Sequence, residues 1–345
     1  MKVDGRNNMR DKTIDCFKGI LTIQMILAHC LQFYCNLDAE RGWWFLSEYI
    51  NLTTFSGFVF AFGYVSYLAY AKEQFPNTLK KIVKNIARLL LAFYISSFTY
   101  VIFIERMPFR MDRILEIVLI KRLAGWSEFL LSFAGVMLIT IPLLKLIKSQ
   151  NKKLLIIIGG ISIFACFLPP KEVVPIVGLF IGGYGSAYYP VIPYYLYFVI
   201  GVYFVRKGIK LNWRVMAVAI MGMVYTLFDV FVLSKGLPSR FPLSLGWLFG
   251  GLLFLYGYYL LSGFLGTKKY FSWLSEIGKY SLSYLLLSNI IIFALKQSKF
   301  FKISSSFSLG LFAIIMIILW YITGLVKGKV QKVRIGVSNN ITTEA

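Results

Sequence analysis

The sequence predicts an all-α fold: a polytopic membrane helix bundle of about 10 transmembrane helices, with both termini in the cytoplasm. Three observations predict it. Hydrophobic residues make up 58% of the 345 and charged residues only 15%, with a mean hydropathy of +0.70. A soluble domain carries about a quarter charged residues and has no interior large enough for that apolar load. The apolar residues also fall into runs close to the roughly 20 residues that cross a hydrocarbon core of about 30 Å. Finally, the net charge of +22 comes from Lys and Arg gathered in short polar segments between those runs. That is the charge pattern of cytoplasmic loops beside anionic lipid, not of a nucleic-acid-binding surface. A soluble fold, a nucleic-acid partner and a long disordered region are thereby excluded.

Residues 1–13 are mostly polar and form a cytoplasmic N-terminal segment. The first apolar run, 14–35, has no small-residue cleavage site and reads as a retained span. Further runs follow at 47–70, 88–104, 127–147, 154–168, 189–205, 214–234, 243–265, 279–296 and 306–326, of which 154–168 and 189–205 are short. Ile114–Ile120, flanked by Arg113, Lys121 and Arg122, is too short to span and lies along the interface. The stretch 171–188, with Pro169, Pro170 and Pro190 beside it and Pro175, Gly182, Gly183 and Gly185 within it, is either an outer-face loop or a re-entrant piece. Residues 14–326 form a single transmembrane domain, and 327–345 a cytoplasmic tail whose end, Val337–Ala345, frays. An even number of spans puts both termini on one side. Of the 37 Lys and Arg, 25 fall on that side and 12 opposite, which makes it the cytoplasmic side. Cys16, Cys30, Cys35 and Cys166 have neither metal-ligand nor paired spacing and read as free thiols.

Ionisable groups inside a span are costly and are usually paired or functional. The one histidine of the chain, His29, lies inside the first run. Asp15, Lys18, Thr22 and His29 share one helical stripe, because eleven steps of 100° from Lys18 return to within about 20° of a whole number of turns. The stripe rises roughly 16.5 Å between Lys18 and His29. Such a stripe must face protein or a water-filled cavity, and its histidine can take or give a proton near neutral pH. Glu48, Glu128 and Asp229 sit at the outer ends of their runs, at the depth of His29, and each is a candidate to orient the imidazole. The second run carries Phe55-Ser56-Gly57-Phe58 and Gly63, which close helix packing explains. Lys80, Lys81, Lys84 and Arg88 then give either ordinary cytoplasmic charge or a phosphate-binding patch for a nucleotide-like cofactor.

These residues carry a resemblance. Ile14-Asp15-Cys16-Phe17-Lys18-Gly19-Ile20 followed by Ala28-His29 resembles the opening of the integral-membrane acyltransferase-3 family, in which a basic residue and a histidine are separated by ten residues, as Lys18 and His29 are. Ser56-Gly57-Phe58, the span from Pro193 through Gly201, and Glu276-Ile277-Gly278-Lys279-Tyr280-Ser281 resemble its later motifs. The chain departs from the family at Lys18, where an arginine is usual, and at Asn85, where a second arginine of a pair often stands. It departs again at Ser288, beside Asn289, where a second histidine is common.

The resemblance implies acyl transfer, usually of acetyl from acetyl-CoA, onto a hydroxyl of a carbohydrate such as a surface polysaccharide or its precursor. It also implies a stand-alone enzyme of a bacterial plasma (inner) membrane, with no metal. On that reading Lys18, Lys84 and Arg88 hold the CoA phosphates, with Asp15 paired to Lys18. The pantetheine arm runs past Thr22, and His29 is general base or transient acyl carrier. Asn51 and Ser56, with Thr53 and Thr54, line the acceptor side. Trp43, Trp44, Tyr184, Tyr188, Tyr189 and Tyr195 suit sugar stacking, and suit an interfacial aromatic belt better. The alternative is a proton-coupled carrier with His29 as relay.

Overall fold

The computed structural model describes residues 11–71, 73–106, 110–123, 126–148, 152–168, 173–183, 189–297 and 304–342. Pro169, Pro170, Tyr184, Gly185 and Tyr188 lie outside them. Among the described residues there is no strand, and the chain is a succession of helices.

The first helix, α1 (Lys12–Tyr34), starts where the Asp11 carboxylate accepts a bond from the Thr13 N–H at 2.8 Å. It is followed by α2 (Arg41–Tyr70) and α3 (Phe75–Tyr100), the latter entered through a proline and prolonged by wider π-helical turns over Val101–Glu105. Next come the short α4 (Met111–Val118), then α5 (Glu128–Lys148), α6 (Lys152–Ala165), the short α7 (Pro175–Ile181) and α8 (Val191–Lys207). The Asn212 side chain caps α9 (Trp213–Phe228), which runs on in π-helical turns over Asp229–Leu233. The last five are α10 (Leu245–Gly250), α11 (Leu252–Leu265), α12 (Ser272–Lys279), α13 (Ser281–Gln297) and α14 (Ser305–Thr342).

Six helical stretches among the described residues are long and apolar enough to cross a bilayer: Lys12–Tyr34, Arg41–Tyr70, Phe75–Glu105, Trp213–Leu233, Leu245–Leu265 and Ser305–Val326. A seventh results if α12 and α13, bent by 70°, count as one broken span. The expected crossings at 127–147, 154–168 and 189–205 fall on α5, α6 and α8, whose described apolar lengths are 17 residues or fewer. The protein is thus a multi-pass helical membrane protein, in which six or seven stretches of the described residues have the length and composition of full spans and α5, α6 and α8 place shorter described apolar stretches at three more of the ten expected runs.

Helix and apolar run do not share boundaries. The basic segment before residue 88 is already helical from Phe75, and α14 stays helical to Thr342 where a frayed tail was expected. Backbone bonding continues a helix past the membrane as long as no proline or cap stops it. The interfacial segment at 114–120 is the short α4, whose Ile117 is buried. Part of 171–188 forms α7, which ends at Gly182 with φ +84°.

Helix α1 is the centre of the bundle, with α2, α11, α12, α13 and α14 packed on it. Glycines set two of the closest approaches. A Cβ on Gly278 of α12 would overlap the Asp15 carbonyl of α1, and one on Gly19 would overlap the Leu274 carbonyl. Between α2 and α8, Gly63 lies on the Phe198 carbonyl and Gly201 on the Phe60 carbonyl. Gly19, Gly201 and Gly278 belong to the motifs that carry the family resemblance, and with Gly63 they let backbones touch. Gly278→Val is therefore expected to cost about 3 kcal/mol, the upper end for overpacking, because a carbonyl cannot swing aside as a side chain can. Thermal unfolding in detergent measures it; a midpoint equal to wild type would refute the packing role.

Candidate active site

One end of the bundle, the end away from the start of α1, holds a cavity of about 350 Å³. Met25, Ala28, His29 and Gln32 of α1 form one wall, and Asn51, Thr54, Phe55 and Phe58 of α2 form another. Trp126 and Glu128 at the start of α5 close a third side, with Tyr100 beside them. Tyr189, ahead of α8, and Arg240 and Phe241, ahead of α10, complete it.

His29 is 7% exposed and its Nδ1 lies 3.0 Å from Asn289 Oδ1 of α13. The Asn289 amide is oriented by its other end, since Nδ2 donates to Ser96 Oγ of α3 at 3.2 Å. An amide so oriented offers its oxygen to the imidazole, so Nδ1 carries the hydrogen. Nε2 is left with its lone pair and with no protein partner among the described residues. The ring stands edge-on to Trp126, with centroids 5.2 Å apart at 87°. Trp126 itself has φ +73°, a left-handed conformation that is strained for a tryptophan. Packing of its indole against Phe33, with centroids 4.7 Å apart, helps hold it there.

The expected acidic partners of His29 are engaged elsewhere. Glu128 is buried on the cavity wall, and backbone amides of Trp126, Ser127 and Glu128 bond its carboxylate at the start of α5. Glu48 accepts from the Asn51 amide at 3.3 Å. Asp229 accepts from the Ser234 hydroxyl at 2.6 Å and lies against Gly246 in the first turn of α10, outside the cavity lining. The imidazole therefore pairs with a neutral amide. In an apolar interior an amide carries no ionisation cost, which a carboxylate would.

The other sequence-selected residues divide. Asn51 and Thr54 line the cavity. Ser56 does not; it is buried, and its hydroxyl bonds back to the Leu52 carbonyl at 3.3 Å. Thr53 likewise bonds back, to the Tyr49 carbonyl at 3.1 Å. Asp15 and Lys18 form an ion pair at 2.8 Å about two to three turns below the cavity, and the Lys18 side chain is 17% exposed. Thr22 is fully buried, with its hydroxyl on the Lys18 carbonyl at 2.8 Å. On α1 the cavity lining reaches down only to Met25, so the polar stripe does not run as an open groove from Lys18 to His29. Lys84 and Arg88 lie on the exposed surface of α3. The four cysteines carry free thiols.

Asn289, Ser96, Trp126, Gln32 and Arg240 escaped the sequence reading. Only Asn289 gave a signal, as an amide inside an apolar helix next to the position of an expected second histidine.

The chemistry on offer is proton removal by a positioned imidazole, in a pocket lined by aromatic rings and a few polar side chains. Residues 10–227 match the family model described as heparan-alpha-glucosaminide N-acetyltransferase, catalytic. No curated protein and no solved structure gives a match. The match covers more than half of the chain and includes His29, Ser96 and Glu128; Arg240 and Asn289 lie beyond it. The chain belongs to this family of membrane acetyltransferase-type catalytic domains, and is a multi-pass membrane acyltransferase.

Proposed function

We propose, from membership in this family, that the protein transfers an acetyl or other short acyl group from cytoplasmic acyl-CoA to a hydroxyl of a cell-surface or lipid-linked carbohydrate. The likeness of its motifs to the acyltransferase-3 family supports a bacterial inner-membrane enzyme of surface-polysaccharide type. The observation that carries the reading is His29: its Nδ1–H is bound to Asn289 at 3.0 Å, and its Nε2 is left for a ligand in the cavity.

In the reaction, Nε2 takes the proton of the acceptor hydroxyl as its oxygen attacks the thioester carbonyl. The tetrahedral intermediate collapses, the carbon–sulfur bond breaks, and the imidazolium returns the proton to the CoA thiolate. Asn289 keeps Nδ1 protonated throughout, so the lone pair stays on Nε2. Tyr189 and Trp126 wall the sugar's place in the cavity, and Asn51 and Gln32 offer amides to its hydroxyls. The CoA phosphates dock at the opposite end near Lys18, with Lys84 and Arg88 as further cations. The pantetheine arm reaches His29 by parting the packing around Thr22.

The name of the matched family favours a second acceptor, the amine of a glucosaminide. Alkali separates the two. Purified protein in nanodiscs, given acetyl-labelled CoA and de-acetylated surface polysaccharide, is expected to yield label that mild alkali releases, as it does from an ester. Alkali-stable label would assign the amine, and label on no carbohydrate would overturn the reading.

A further inference from the structure

The cavity carries a cation that the acyl-transfer chemistry does not use. Arg240 is half-buried on the loop ahead of α10, and its guanidinium lines the same cavity as His29. Aromatic rings fix it in place. It lies 4.8 Å from the Tyr189 ring centroid, 4.7 Å from that of Phe241 and 5.8 Å from that of Trp247. One terminal nitrogen donates to the Tyr189 hydroxyl. The Nε–H is buried and has no hydrogen-bond partner.

Among the described residues no carboxylate forms an ion pair with Arg240. Glu128, bonded by backbone amides, shares only a longer-range charge interaction with Arg240, and Glu48 accepts from the Asn51 amide. A half-buried guanidinium whose Nε–H is buried without an acceptor is costly unless something supplies one. Carboxylates and phosphates fit that donor edge best, through charge-assisted bonds. The cavity end in question is the acceptor's under the proposed function, because CoA enters from the Lys18 end.

We propose that Arg240 anchors an anionic group of the acceptor, a carboxylate or a phosphate on the sugar, beside the hydroxyl presented to His29. This rests on the acyl-transfer reading for the hydroxyl, and on the cavity geometry alone for the anion. The substrate class is thereby narrowed to acidic carbohydrate. A neutral sugar can offer Arg240 hydroxyl acceptors but no countercharge, and an acidic one offers both.

The test is binding and transfer with matched sugars, on full-length protein in nanodiscs. One pair is a glucuronic-acid-containing disaccharide and its carboxyl-reduced counterpart; the other is glucose 6-phosphate and glucose. Binding is read by calorimetry without acyl-CoA, and transfer by kcat and KM with it. Wild type is expected to bind the anionic member of at least one pair about 10–100-fold more tightly. The favoured pair tells carboxylate from phosphate. Arg240→Gln is expected to abolish that preference, raising KM for the anionic sugar with little change in kcat, and Arg240→Lys to retain part of it. Equal binding of both members by wild type overturns the proposal, and so does an unchanged preference in Arg240→Gln. Preference that is lost in Arg240→Gln while wild type transfers no acyl group would sustain the anion site and sink only the acyl-transfer reading. Unfolding midpoints of the variants, compared with wild type, separate a lost anchor from a lost fold.

Discussion

His29→Ala is expected to lower kcat for acyl transfer by about 10²–10⁴-fold, the range a positioned general base contributes. The expected KM for acyl-CoA is unchanged, because in the proposed reaction the CoA phosphates dock at the far end of α1, roughly 16.5 Å away along the helix. The fold should survive, since the imidazole makes one side-chain hydrogen bond, to Asn289 at 3.0 Å, and an edge contact with Trp126. The informative assay is single-turnover transfer from labelled acyl-CoA, with binding of acyl-CoA measured separately. Retained transfer in His29→Ala would remove the imidazole from the mechanism. A loss confined to acyl-CoA affinity would move His29 from the chemistry to donor binding. A carrier using His29 as a relay would show proton-coupled sugar flux in vesicles and no acylated product.

Asn289→Leu is expected to act on the same step through a different cause. It strands a buried donor, His29 Nδ1–H, and takes from the Ser96 hydroxyl the amide N–H it accepts, at a cost of about 1–3 kcal/mol each. It also frees the imidazole to move its hydrogen to Nε2, which would silence the base. The expected outcome is a fall in kcat of about 10–10³-fold with little change in KM for acyl-CoA. Asn289→Asp is the contrast: it keeps an oxygen at the same place for Nδ1–H, and the Ser96 hydroxyl can turn to donate to it. Activity kept in Asn289→Asp and lost in Asn289→Leu would identify Asn289 as a positioning residue. Equal loss in both would reduce it to a packing role.

The membrane bundle was legible because hydrophobicity over some 20 residues is a property of the chain itself and needs no neighbours. His29 was legible for the same reason, as an ionisable residue inside an apolar run. The pairing of Asp15 with Lys18 was legible because i and i+3 meet on any helix. The glycines of the motifs were legible as small residues for packing, though not which carbonyls they touch. The lengths of the helices were not: the apolar runs 154–168 and 189–205 fall on helices of 14 and 17 residues, Lys152–Ala165 and Val191–Lys207.

Assigning an acid to His29 failed for a physical reason. Depth in the membrane shows which residues share a level, but not which of them face one another. Glu48 and Asp229 spend their carboxylates on neighbours three and five residues away, whereas Asn289 reaches His29 across 260 residues of sequence. Arg240 reads in sequence as one more loop cation. Only the rings of Tyr189, Phe241 and Trp247, brought to it by folding, make it a fixed donor on the cavity wall. The sequence by itself determined a helical membrane protein with one histidine in its first span, because burial costs act locally along the chain. The tertiary structure alone decided what that histidine bonds to and which cation faces it, because those contacts join helices far apart in the chain.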